Sequence, residues 1–99
     1  MKDNVEQFKE LTESLAELYE RKNHDYGNSF ENNLDEFGLL PALIRLKEKY
    51  DRFHTLSTTK AAVDDENIED TLMDMASYCI MTAMWVRKVG DNRKRIIIE

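Results

Sequence analysis

Three carboxylates of the sequence stand at a spacing that suits a divalent cation. Glu66, Asp70 and Asp74 follow one another at intervals of four residues, which places them along one face of a helix. Mg²⁺ prefers oxygen ligands, takes one or two carboxylates from a protein and shares its remaining positions with substrate phosphates. Asp74 also borders a stretch that is apolar on all sides, where an unpaired carboxylate is costly. The pattern predicts that Asp70 and Asp74, with Glu66, hold Mg²⁺ or meet another positive charge.

A basic stripe earlier in the chain is the alternative partner for these acids. Arg45, Lys49 and Arg52 recur at intervals of four and three residues, so they share one face of a helix. They could neutralise the acids through ion pairs without any metal ion. The spacing leaves both interpretations open.

A second cluster of polar residues follows the first predicted helix. It comprises His24, Asp25, Tyr26, Gly27, Asn28 and Ser29. Loops at helix ends often carry binding groups, and a histidine can exchange protons near neutral pH. The alternative interpretation is a capping turn in which Tyr26 packs on the core.

Three helices are expected to position these residues, so the predicted fold class is all-α. Apolar residues at intervals of three and four indicate helices over about Asp3–Lys22, Leu39–His54 and Asp65–Val89. Asn28–Glu36 is predicted to be a loop because it is polar and rich in asparagine. A polar linker is expected at Leu56–Thr59. The glutamates that alternate with the apolar face of the first helix are interpreted as a solvated face.

The third predicted helix is apolar on two opposite faces. Its main stripe consists of Ile68, Leu72, Met75, Ala76, Cys79, Ala83 and Val86. Its opposite face carries Met73, Ser77, Tyr78, Met81, Met84 and Trp85. A helix that is apolar all round is buried all round. Because two other helices can cover only one side, a second copy of the chain is predicted to cover the other, giving a homodimer or a higher homo-oligomer.

Composition limits the classes of function. The chain has 99 residues and a net charge of −6, so it is expected to repel duplex nucleic acid. A single cysteine, Cys79, excludes an internal disulfide and is interpreted as a small buried hydrophobic residue. We find neither a signal peptide nor an apolar run long enough for a membrane span, so a cytoplasmic location is expected. The expected organisation is one helical domain over residues 1–90 and a tail over 91–99, where Ile96–Ile98 could form a strand or an apolar plug.

Three blocks of the sequence resemble the nucleotide modification associated domain 1 family, which is common in phages and prophages. They are Lys22–Phe30, Ile44–Lys49 with Arg52-Phe53, and Glu66–Tyr78. The third block is also loosely similar to the MazG-like all-α nucleotide pyrophosphohydrolases. This second resemblance implies a Mg²⁺-dependent dimer or tetramer that cleaves nucleoside triphosphates to monophosphate and pyrophosphate.

The resemblance also implies roles for individual residues. Asp70 and Asp74 match the acids of the second metal-binding helix, with Glu66 beside them. The first metal-binding helix of MazG-like enzymes carries two glutamates three residues apart, whereas this chain has a mainly basic stretch around Glu48 and Asp51. Basic residues there fit phosphate binding.

The sequence therefore leads to two hypotheses. The first is a nucleotide-binding protein of phage type, with possible hydrolase activity or a role in base modification. In it, Asp70 and Asp74 would be catalytic, and the expected substrate-binding residues are Lys49, Arg52, His24, Asp25, Tyr26 and Asn28. The second is a non-enzymatic acidic protein that blocks a host partner.

Overall fold

The described part of the chain folds into four helices. The computed structural model of the protein describes residues 2–26, 28–60 and 67–90, without the side chains of residues 25 and 26. Its helices are α1 Asn4–Tyr26, α2 Ser29–Phe37, α3 Leu40–Thr58 and α4 Ile68–Val89. The prediction of an all-α fold is confirmed. The predicted strand or plug at Ile96–Ile98 lies outside the described residues. Within those residues, no helix is long and apolar enough to cross a membrane.

The helix α2 corrects the prediction of a loop over Asn28–Glu36. Its nine residues are poor in strong helix formers, and this composition led to the wrong prediction. Phe30, Leu34 and Phe37 nevertheless recur at intervals of four and three, which gives the segment an apolar face. Burial of Leu34 to 1% exposure shows that tertiary packing stabilises the helix against its weak propensity.

The ends of α1, α3 and α4 also differ from prediction. Helix α1 continues to Tyr26, beyond the predicted end at Lys22, so His24 lies in the helix and not in a loop after it. The expected linker over Leu56–Thr59 is mostly helical, because α3 continues to Thr58. The hydroxyl groups of Ser57 and Thr58 donate to backbone carbonyls four residues earlier, so they do not draw the chain out of the helix. Helix α4 begins at Ile68, three residues later than predicted. Its N-cap is Asn67, whose side chain accepts a hydrogen bond of 2.7 Å from the backbone N–H of Asp70.

The C-terminus of α4 matches the prediction. Gly90 follows the helix with φ of +73°, in the region that glycine adopts without strain.

The best-buried cluster lies where α2, α3 and α4 meet. Leu34, Ala42 and Trp85 are 1%, 2% and 3% exposed. The indole Nε1–H of Trp85 donates to Oδ1 of Asp35 at 2.8 Å, so the polar atom of this buried side chain is satisfied. Trp85 is thus covered within one chain, by α2 and α3.

This arrangement reverses the expected roles of the two faces of α4. The face with Thr71, Tyr78 and Trp85 turns inward, whereas the stripe predicted as the main buried one is partly exposed. Leu72 is 42% exposed, and Cys79 is exposed rather than buried as predicted. The reason is that α2, which was not predicted from the sequence, covers the aromatic flank of α4, where a second chain was expected.

Helix α1 is buried only in part. Leu15, in the middle of its apolar stripe, is 8% exposed, whereas Phe8 is 69% exposed. The N-terminal half of α1 therefore extends beyond the cover that the other described helices provide.

Candidate functional site

A groove of about 550 Å³ lies among the four helices. This volume falls within the range of typical small-molecule sites, roughly 300–1,000 Å³. Its lining includes the C-terminal half of α1, the start of α2, Lys49 of α3 and the inner face of α4. The groove therefore depends on α2 and on the way α3 and α4 pack together.

Aromatic side chains form much of the wall of the groove. The rings of Phe30 and Tyr78 meet edge to face, with centroids 5.1 Å apart and an interplanar angle of 64°. Tyr19 and Trp85 line the same groove, with Met81 and Met84 beside them. Planar, polarisable rings and thioethers offer a surface on which a flat aromatic ligand can stack.

Charged groups from four helices face the same space. Lys49 of α3 and Asp74 of α4 lie in the lining, and the lysine Nζ is 3.2 Å from the carboxylate Oδ2. Their side chains are 21% and 39% exposed, so water and ligands can reach the pair. Lys88 and Glu31 form a second ion pair of 2.6 Å, which joins α4 to α2. Lys22 lines the groove from α1.

The structure brings together part of the predicted site. Lys49, Asp74 and Asn28 all line the groove. Asp70 is exposed one turn before Asp74 on α4 and does not line the groove. The predicted site residues His24 and Arg52 are also exposed and outside its lining. Glu66 and the side chains of Asp25 and Tyr26 lie outside the described residues.

The described residues alone do not assemble a complete metal site. Across residues 2–26, 28–60 and 67–90, no three His, Cys, Asp or Glu side chains are grouped so that they could hold a metal ion. Asp74 is paired with Lys49, and Asp70 adds one carboxylate nearby in sequence. These residues fit a metal ion that arrives with phosphate ligands of its own, but not a cage built from protein atoms.

Several groove residues were not predicted as site residues. Tyr19, Lys22, Phe30, Tyr78 and Lys88 come from three different helices. Lys22 and Phe30 flank the polar cluster that was singled out, and recognising α2 would have indicated that Phe30 faces inward. Tyr19 and Lys88 lie far apart in sequence, and only the packing of the helices brings them to one groove.

The described residues form an all-α domain with a groove that aromatic and lysine side chains line. Sequence comparison adds the family: the model of nucleotide modification associated domain 1 matches residues 22–86, about two thirds of the chain. The chain belongs to this family, which confirms the resemblance to nucleotide modification associated domain 1. No curated protein and no solved structure gave a significant match.

Proposed function

We propose that the protein binds a single nucleotide in the groove among its four helices. The observation that carries this proposal is the meeting of the Phe30–Tyr78 ring pair with lysines from three helices in one cavity of about 550 Å³. A nucleotide needs both kinds of contact, because its base stacks on aromatic rings and its phosphates attract cations. The family description, nucleotide modification associated domain, supports the same class of ligand.

The groove offers a different environment for each part of the ligand. The base would lie against Phe30 and Tyr78, where the amide of Asn28 is available to its polar edge. The phosphates would lie near Lys22, Lys49 and Lys88. Among the described residues, three lysines and two carboxylates line this groove, an excess of one positive charge, whereas the whole chain carries a net charge of −6. The described lining is thus slightly basic on an acidic protein.

Magnesium and hydrolysis are the finer part of the proposal. A nucleoside triphosphate carries phosphate oxygens for Mg²⁺, so Asp74 with Asp70 would need to supply only one or two ligands. Bound in this way, the metal ion would neutralise phosphate charge and polarise the bond to be cleaved. Asp74 would exchange part of its interaction with Lys49 for the metal ion, which leaves Lys49 to contact phosphate.

Calorimetric titration tests the binding proposal directly. Nucleoside mono-, di- and triphosphates of each base are titrated into the full chain with and without Mg²⁺. We expect saturable binding of at least one nucleotide. Absence of binding heat and of a ligand-induced rise in melting temperature for all of them would overturn the proposal. It would favour the alternative from the sequence, an acidic protein that blocks a partner.

A matched pair of lysine variants locates the binding site. Lys49→Met should weaken binding about tenfold or more, because it removes a charge-assisted contact and leaves Asp74 unpaired beside the phosphates. Lys47→Met is the control: Lys47 lies on the same helix, is 75% exposed and pairs with Asp51 outside the groove. Equal effects of the two variants would place the ligand elsewhere.

Hydrolysis has a separate readout, the release of pyrophosphate from triphosphates in the presence of Mg²⁺. If the protein is a hydrolase, Asp74→Asn should abolish release while the helical circular-dichroism spectrum stays unchanged. Nucleotide binding without any product by the unmodified protein would refute hydrolysis and leave the binding proposal intact.

A further inference from the structure

A second cavity of about 470 Å³ lies between α2 and α3. Its apolar lining comprises Phe37, Leu40, Pro41 and Ile44, and we call it the α2–α3 pocket. Phe37 is 56% exposed and Ile44 is 50% exposed, although both are large apolar side chains. Arg45 and Glu48 line the same cavity and form an ion pair of 3.3 Å, so a pair without net charge borders this apolar surface.

A complementary apolar surface lies on the N-terminal half of α1. Val5, Phe8 and Leu11, here called the α1 stripe, recur at intervals of three residues and are 62%, 69% and 43% exposed. Three large apolar side chains in a row on one helix face are the usual anchors of a helix that binds in a groove.

We infer that the α1 stripe of one copy docks in the α2–α3 pocket of a second copy. The contact is reciprocal, so each subunit of a twofold dimer contributes one α1 stripe and one α2–α3 pocket. This interface differs from the one expected from the sequence, which was assigned to the aromatic flank of α4.

Charge favours docking of α1 against α3 over pairing of α1 with α1. Residues 2–20 contain six acidic and two basic residues, whereas residues 40–58 contain four basic and two acidic residues. The acids of α1 lie on the side opposite the α1 stripe. Their electrostatic effect on the partner is therefore long-range, and they do not form direct ion pairs with α3. Arg45, Lys47 and Lys49 of α3 already pair with acids, so the main effect of charge is that two acidic α1 helices repel each other, which disfavours the pairing of α1 with α1.

The exposed apolar area is also large enough for a specific dimer interface. The α1 stripe and Phe37, Leu40 and Ile44 provide six side chains that are 42–69% exposed. Aromatic side chains bury roughly 150–250 Å² each and the aliphatic ones less, so the exposed parts of these side chains in two copies together come to about 1,000 Å². Specific interfaces begin at about this size once the surrounding polar rim is included.

The α2–α3 pocket shares lining residues with the groove proposed to bind a nucleotide. Ser29, Phe30 and Tyr78 line both cavities, so the Phe30–Tyr78 ring pair forms a shared wall. A partner helix in the α2–α3 pocket would therefore support the back of that wall. The dimer itself does not depend on the proposed nucleotide function, and its test uses no nucleotide.

Sedimentation of the full chain over a wide range of concentration tests the dimer. We expect a mass of twice 11.7 kDa for the unmodified protein. Phe8→Asp and Ile44→Asp should each raise the dissociation constant more than about tenfold, because each would bury a charge in the interface. Ser14→Asp is the control, since Ser14 is exposed on the same helix but lies on a different face from the α1 stripe. A purely monomeric unmodified protein would overturn the inference.

Cross-linking identifies which surfaces meet. In a Cys79→Ser background, Phe8→Cys and Ile44→Cys proteins are prepared separately, mixed and oxidised. We expect a disulfide-linked dimer mainly in the mixture, with helical content unchanged. Efficient oxidation of the unmodified protein through the exposed Cys79 of two copies, with no cross-link in the mixture, would assign the dimer to α4 and refute docking of α1.

Discussion

The pairing of Lys49 with Asp74 bears on both interpretations of the acidic stripe. The two side chains lie 3.2 Å apart across the α3–α4 contact, so Asp74 has a neutralising partner in the absence of a metal ion. The same pair lines the groove and remains accessible. An ion pair that stabilises the resting protein can therefore also be the group that a phosphate or a metal ion engages.

A double-mutant cycle measures the strength of this pair. We expect Lys49→Met and Asp74→Asn to show a coupling free energy of about 0.5–1 kcal/mol in urea unfolding, because the pair is only partly exposed. The control cycle uses Lys47 and Asp51, a pair one helical turn apart whose side chains are 75% and 58% exposed. Its coupling should be about 0.3–0.5 kcal/mol. Coupling that is absent for Lys49 and Asp74, or stronger for Lys47 and Asp51, would contradict the prediction.

The helix α2 marks the limit of what the sequence could predict. The three long helices and Gly90 as the end of α4 follow from regular apolar spacing and a strong stop signal. The apolar face of α2 consists of only three residues, and the two asparagines, the serine and the aspartate around it favour the prediction of a loop. The choice between loop and helix depended on a tertiary partner, Trp85, that lies about fifty residues further on. Missing α2 also concealed the groove, since Phe30 and Glu31 form part of its wall.

Leu34 should be the main anchor of α2. Leu34→Ala should lower the free energy of unfolding by about 2–4 kcal/mol, because Leu34 is 1% exposed and its loss leaves a cavity beside Trp85. Chemical denaturation, followed by the fluorescence of the single tryptophan, provides the measurement. Asn32→Ala on the exposed side of α2 is the control and should stay within about 0.5 kcal/mol of the unmodified protein. Similar effects of both variants would show that α2 does not dock as described.

The N-cap residue of α4 should contribute to the stability of the protein. Asn67 accepts a 2.7 Å hydrogen bond from the backbone N–H of Asp70, so Asn67→Ala should cost about 1 kcal/mol. Asn67→Ser should restore most of this stability, because serine is also a good N-cap. Urea unfolding curves give the free energy of unfolding of both variants. If alanine and serine lowered it equally, a capping role would be ruled out.

At the scale of the whole molecule, charge and apolar surface are unevenly distributed. The net charge is −6, yet three lysines converge on the groove and four basic residues lie on α3. Large apolar side chains remain exposed on α1 and around the α2–α3 pocket. The molecule thus combines a groove that three of the described lysines line with exposed apolar surface elsewhere, on a chain that is acidic as a whole.

This distribution predicts selectivity for free nucleotides over nucleic acid. Duplex DNA presents a charge every 1.7 Å or so along its axis, and most of it would face the acidic surface outside the groove. We expect no saturable binding of a fluorescent duplex in anisotropy titrations, even at low salt, where electrostatic attraction is strongest. The positive control is the nucleotide that gives binding heat, added as a fluorescent analogue under the same conditions. Duplex binding that weakens steeply with added salt would show that the basic residues of α3 form a nucleic-acid surface. The protein would then act on a base within a polymer and not on a free nucleotide.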